Sequence, residues 1–126
     1  MKTNLILIGL GGALGSILRY LTSLYVARHF STMIFPYGTF AVNVIGCIII
    51  GIIYGMSERF QWLTPTLRLF LVTGFCGGFT TFSAFAYENL QLLQGSNFTG
   101  FALYSILSFI VCIAAVYAGL LLVKSI

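Results

Sequence analysis

The chain has 126 residues, 60% of them hydrophobic and only 6% charged, with Glu58 and Glu88 as its sole acidic side chains. An ordinary soluble domain carries about 25% charged residues, so this composition excludes a soluble globular domain, a disordered chain and a disulfide scaffold. One histidine, two carboxylates and no aspartate leave little for acid–base catalysis, and an integral membrane protein that is not an enzyme is expected.

Four stretches are long and almost free of charge. Residues 5–26 hold one charge, Arg19, while residues 37–56, 69–87 and 98–123 hold none. About 20 apolar residues cross the hydrocarbon core as a helix. The expected fold is therefore all-α, a single domain over residues 1–126 with four transmembrane helices. A closed barrel would alternate polar and apolar residues. Runs such as Cys47-Ile48-Ile49-Ile50 and Gly119-Leu120-Leu121-Leu122-Val123 do not. The first stretch reads as a retained helix rather than a cleaved signal, because its apolar run is too long and contains Arg19 among glycines.

The connections are short. Residues 27–36 hold Arg28, His29, Ser31 and Pro36; residues 57–68 hold Glu58, Arg59, Pro65 and Arg68; residues 88–97 hold Glu88, Gln91, Gln94 and Asn97. None can form an extramembrane domain. Four spans put both termini on one side with Lys2, Arg59, Arg68 and Lys124. The other side holds Arg28, and Arg19 if it snorkels, so the positive-inside rule favours cytoplasmic termini. The net charge of +4 belongs to this loop balance. No basic run points to nucleic acid.

Gly11-x-x-x-Gly15, Gly51-x-x-x-Gly55 and Gly74-x-x-x-Gly78 are small-xxx-small motifs that let helices approach closely. Gly9-Leu10-Gly11 is not a dinucleotide loop: Leu14 stands where a third glycine belongs and no βαβ context exists. Cys47, Cys76 and Cys112 are odd in number and fit no metal spacing, so they read as small packing residues. The third span is different. Gly77-Gly78 followed by Thr80-Thr81 gathers weak helix formers near its middle, and predicts a broken helix whose freed backbone groups need a cavity, a partner or an ion.

Polar groups inside a membrane are functional candidates. Asn43 lies midway along the second span, one turn after Thr39, and serves either an interhelical hydrogen bond or a ligand. Phe82 and Phe85 share a helix face and could turn electropositive ring edges to an anion. Tyr104, Ser108 and Cys112 follow an i, i+4, i+8 line that ends at Val116. No carboxylate is expected deep in the membrane, since Glu88 falls at the end of the third span. A cation pore or proton-coupled antiporter wants such a carboxylate, whereas neutral donors, ring edges and one arginine favour an anion.

Three blocks then carry a resemblance: Gly11-Gly12-Ala13-Leu14-Gly15-Ser16-Ile17-Leu18-Arg19-Tyr20, Gly38-Thr39-Phe40-Ala41-Val42-Asn43-Val44-Ile45-Gly46, and Gly74-Phe75-Cys76-Gly77-Gly78-Phe79-Thr80-Thr81-Phe82-Ser83-Ala84-Phe85. In this order and spacing, over nearly the whole chain, they resemble the bacterial fluoride channels of the Fluc family. The resemblance implies an antiparallel, dual-topology homodimer in the bacterial cytoplasmic (inner) membrane, with two fluoride pores. It implies a structural sodium ion (Na+) at the dimer centre, held by the backbone carbonyls of Gly77 and Thr80. Carried over as pore residues are Asn43, Phe82 and Phe85, with Tyr104 and Ser108 on the fourth helix. Arg19 is carried over as a vestibule residue that draws anions to the entrance. The implied activity is passive fluoride efflux that lowers cytoplasmic fluoride toxicity. The alternatives are a small multidrug-type proton-coupled antiporter, which wants a carboxylate on the first helix, and a non-transporting assembly protein.

Overall fold

The computed structural model describes residues 1–30 and 35–126, and all regular structure among them is helical. Ser31 lies outside the described residues. Helix α1 spans Lys2–His29 and α2 spans Tyr37–Arg59. The third span opens with α3 (Pro65–Arg68), runs through a π-helical segment (Leu69–Cys76) and ends its first half with α4 (Gly77–Phe79). Its second half is α5 (Phe82–Gln94), and α6 (Phe98–Lys124) closes the chain. Four units, Lys2–His29, Tyr37–Arg59, Pro65–Gln94 and Phe98–Lys124, are long and apolar enough to cross a membrane.

Local chemistry explains where the helices begin. The Thr64 hydroxyl accepts a hydrogen bond from the Leu67 amide, with Pro65 in the first turn, where its missing N–H is harmless. The Asn97 side chain accepts from the Gly100 amide at 2.9 Å and caps α6. Just before it, Ser96 adopts φ 57°, which lets the chain reverse from α5 into α6. At the other end the Arg59 guanidinium donates to the Val123 carbonyl at 2.8 Å, placing a cation on the negative end of α6.

Two packing seams hold the spans together: α2 against α6, and α1 against the π-helical segment. Both depend on absent side chains. A Cβ on Gly51 would strike the Val116 carbonyl, and one on Gly119 would strike that of Ile48. On the other seam a Cβ on Gly11 would lie 2.6 Å from the Phe70 carbonyl oxygen, and one on Gly15 would strike the Phe75 carbonyl. Lipid supplies no hydrophobic drive between helices, so close backbone approach and dispersion do this work. Gly74 and Gly78 meet Gly11 and Gly12, so the third motif packs as well as preceding the break. Outward, Leu10, Leu14, Ile17, Phe109, Ile113 and Tyr117 stand exposed, as suits a surface that faces lipid or another chain.

The helices run past the charge-free stretches, and the connections shrink accordingly. The third span takes 30 residues, Pro65–Gln94. One consequence corrects the sequence reading. Glu88 belongs to α5 rather than to a connection, and is half-buried.

Candidate functional site

The site is built around the interruption between α4 and α5. Thr80 (φ −85°, ψ 157°) and Thr81 (φ −150°, ψ 118°) are extended, so the helical ladder stops there. Several groups at the break find partners nearby. The Thr80 amide and hydroxyl both donate to the Cys76 carbonyl, at 2.9 and 2.8 Å. The Thr81 hydroxyl accepts from the Ala84 amide at 3.2 Å and caps α5.

Asn43 of α2 reaches across and pairs with the Thr81 backbone at both ends. Its Oδ1 accepts from the Thr81 amide at 2.8 Å, and its Nδ2 donates to the Thr81 carbonyl at 3.1 Å. Thr81 offers one donor and one acceptor, which sets the orientation of the amide. A primary amide carries two N–H donors, so one remains for another partner. The functional and packing readings of Asn43 are thus compatible: it splints the break and keeps a donor free. Gly46, one turn on, makes room, since a Cβ there would strike the Thr80 methyl group.

The same bonds strip two carbonyls of their helical donors. The Thr81 amide turns to Asn43 instead of Gly77, and the Ala84 amide turns to the Thr81 hydroxyl instead of Thr80. The Thr80 carbonyl receives a long 3.4 Å hydrogen bond from Arg19. Carbonyl oxygens short of donors suit a hard cation. Gly77 and Thr80 are the two positions that the resemblance names for sodium, so the donor set fits that ion.

Asn43, Thr81, Phe82, Phe85 and Ser108 line one open groove between α2, the break and α6. The Phe82 and Phe85 rings lie 5.6 Å apart, and Phe82 is 78% exposed. Tyr104 does not line this groove. It is fully buried behind Phe85, at 5.0 Å between ring centroids, with the edge of Phe35 on it at 5.2 Å. Among the described residues, its hydroxyl is a buried polar group without a hydrogen-bond partner. Arg19 lines a second groove with Ser16, Ser23 and Thr39, and Thr81 lines both. The break therefore separates Arg19 from the rings and Ser108. Gly77 lies one helical turn before the break.

Two features escaped sequence reasoning. Thr39 donates a short hydrogen bond to Glu88, which brings a carboxylate into the span next to α2. Asn89 is buried on α5, where it donates to the Phe85 carbonyl at 3.1 Å and accepts from Ser105 at 3.2 Å, tying α5 to α6. Its spacing of four from Phe85 and seven from Phe82 puts all three on one face, a signal that could have found it.

A helix interrupted midway beside an open groove with a few polar groups is a feature of membrane transport proteins. Residues 6–120 match the family described as CrcB-like protein, Camphor Resistance (CrcB). The chain belongs to this family. It is 45% identical over 125 residues to a fluoride-specific ion channel FluC of Azobacteroides pseudotrichonymphae, covering 98% of each. It is 47% identical to that of Flavobacterium psychrophilum, again covering 98% of each, and 49% identical to that of Bacteroides fragilis, covering 92% of each.

Proposed function

We propose that the protein is a fluoride-selective ion channel of the bacterial cytoplasmic (inner) membrane, giving passive exit of fluoride. The observation that carries this reading is near-full-length identity of 45–49% to fluoride-specific channels. The groove chemistry supports it. Fluoride is small and holds its water tightly, so a pore must replace that water with donors and exclude larger chloride by width. The remaining Asn43 N–H and the Ser108 hydroxyl are such donors, and the rings of Phe82 and Phe85 offer positive edges. The positive end of the α5 dipole lies at the break beside Asn43. Tyr104 supports the wall from behind Phe85. Arg19, across the break, raises the local anion concentration at one mouth. A negative membrane potential drives the anion outward with about 2.3 kcal/mol per charge per 100 mV.

The functional unit in this reading is an antiparallel homodimer. A groove that leaves Phe82 78% exposed lacks a second wall, which a second copy in the opposite orientation supplies. Sodium would be held by the Gly77 and Thr80 carbonyls, where it supplies positive charge to oxygens that lost their helical donors. This predicts that replacing sodium by a large organic cation, or substituting Gly77 or Thr80, weakens dimer assembly or flux. An intact, active dimer without bound cation speaks against the sodium site.

The deciding experiment reconstitutes purified protein into liposomes loaded with fluoride or with chloride. Valinomycin-dependent fluoride release without chloride release is expected. No fluoride release from a folded protein overturns the reading.

A further inference from the structure

Two cysteines stand in the wall of the same groove without a part in the mechanism above. Cys47 lies on α2, one turn after Asn43, and Cys112 lies on α6, one turn after Ser108. Both are free thiols, partly exposed, and both line the groove. Gly51 of α2 meets Val116 of α6, and Cys47 and Cys112 stand one turn before each, so the two thiols share one level of the same groove wall. The seam that carries them is closely packed. Gly51 against Val116 and Gly119 against Ile48 pack α2 closely onto α6 just beyond the pair. Cys76, by contrast, is wholly buried on the π-helical segment.

Two thiols held side by side in an apolar wall have a definite ligand preference. Ile50, Phe109 and Ile113 surround this part of the groove, and such surroundings disfavour bare thiolates or a hard, hydrated cation. A soft cation that bonds strongly to sulfur can displace the protons. With Hg(II) the balance is two R–SH plus Hg²⁺ giving R–S–Hg–S–R plus two H⁺. Two S–H bonds break, two Hg–S bonds form, and the protons leave to water. The product is neutral, so the apolar wall tolerates it.

We propose that Cys47 and Cys112 form a two-thiol site for a soft, divalent, two-coordinate metal cation of the Hg(II) class, and that a cation held there obstructs the groove. The binding half stands on the thiol pair alone; the obstruction half rests on the fluoride-channel reading. The two are tested separately, with mercuric ion alone as the probe.

In the first arm, detergent-solubilised full-length protein is titrated while mercury–thiolate charge-transfer absorption is followed. The expected endpoint is one ion bound between the two thiols of each subunit. The signal is expected to vanish in Cys47→Ser, in Cys112→Ser and in the double variant, and to persist in Cys76→Ser. Either single variant suffices where the double variant does not fold. An unchanged signal and stoichiometry without the pair overturns the site. In the second arm, fluoride release from liposomes is measured, each protein normalised to its own rate before mercury. The wild type is expected to lose most of its flux at the same endpoint and regain it with excess dithiothreitol, while the double variant keeps its rate. Full flux with mercury bound overturns the obstruction. A wild type that never releases fluoride refutes the channel reading instead, and the absorption arm still decides the site.

Discussion

The seam between α1 and the π-helical segment and the break between α4 and α5 adjoin each other, and solve opposite problems. At the seam both segments stay helical, and the sequence needs only to remove side chains: Gly11 and Gly15 let carbonyls and amides of the third span approach α1. At the break the backbone leaves its ladder, and side chains must replace what it lost. Asn43, Thr80, Thr81 and Arg19 all bond to backbone groups there. Water is absent from a bilayer core, so an unsatisfied amide or carbonyl costs several kcal/mol there. Polar side chains at the break therefore serve the backbone first, and offer an ion only the donors left over.

Five substitutions probe this contrast. Asn43→Asp has the largest expected effect. An ionised carboxylate cannot donate to the Thr81 carbonyl and adds negative charge beside the groove. Fluoride release from liposomes should fall by about 100-fold or more, equivalent to about 2.7 kcal/mol of barrier; a wild-type rate would dissolve the link between splint and pore. Next comes the seam. Gly15→Ala drives a Cβ into the Phe75 carbonyl and to 2.9 Å from the Phe79 amide. Backbone cannot yield cheaply, so a loss of about 1–3 kcal/mol is expected, seen as a lower melting temperature in detergent. Gly12→Ala, whose Cβ would meet nothing closer than 3.8 Å, should melt near the wild type. Equal melting of the two variants would refute shape as the basis of the seam.

Thr39→Val removes the donor that faces Glu88. A hydrogen bond to a charged group contributes about 1.5–3 kcal/mol, and the half-buried position puts the expected destabilisation at the lower end, again read by thermal melting. The smallest effect is expected from Thr81→Val, which keeps the backbone bonds to Asn43 but deletes the cap on α5. About 1 kcal/mol is expected, visible as faster hydrogen exchange at Ala84 than in the wild type. Unchanged exchange would mean that Asn43 alone holds the break.

Four helical spans were legible because composition and length suffice for that inference: too few charges for water, and four apolar runs of membrane length. The interruption was legible because its causes are local, with Gly77-Gly78 and Thr80-Thr81 weakening the helix where it breaks. Asn43, Phe82, Phe85 and Ser108 could be named in advance because a polar residue or a ring pair stands out in an apolar run. Glu88 was misplaced for a physical reason. A charge-free window ends at the first charge, whereas α5 continues to Gln94, and Thr39 satisfies the carboxylate from another helix.

Sequence alone therefore determined the class of protein, the number of spans, the position of the break and the family. The tertiary structure decided which of those residues meet. Asn43 and Thr81 are 38 positions apart and Arg19 and Thr80 are 61 apart, and no local pattern specifies such pairs. They arise where glycine seams set the distance between helices. The same seams bring Cys47 to Cys112 and put Tyr104 behind Phe85 instead of in the groove. Hydrophobicity and helix propensity are properties of neighbours along the chain, but the groove is a property of how four helices pack.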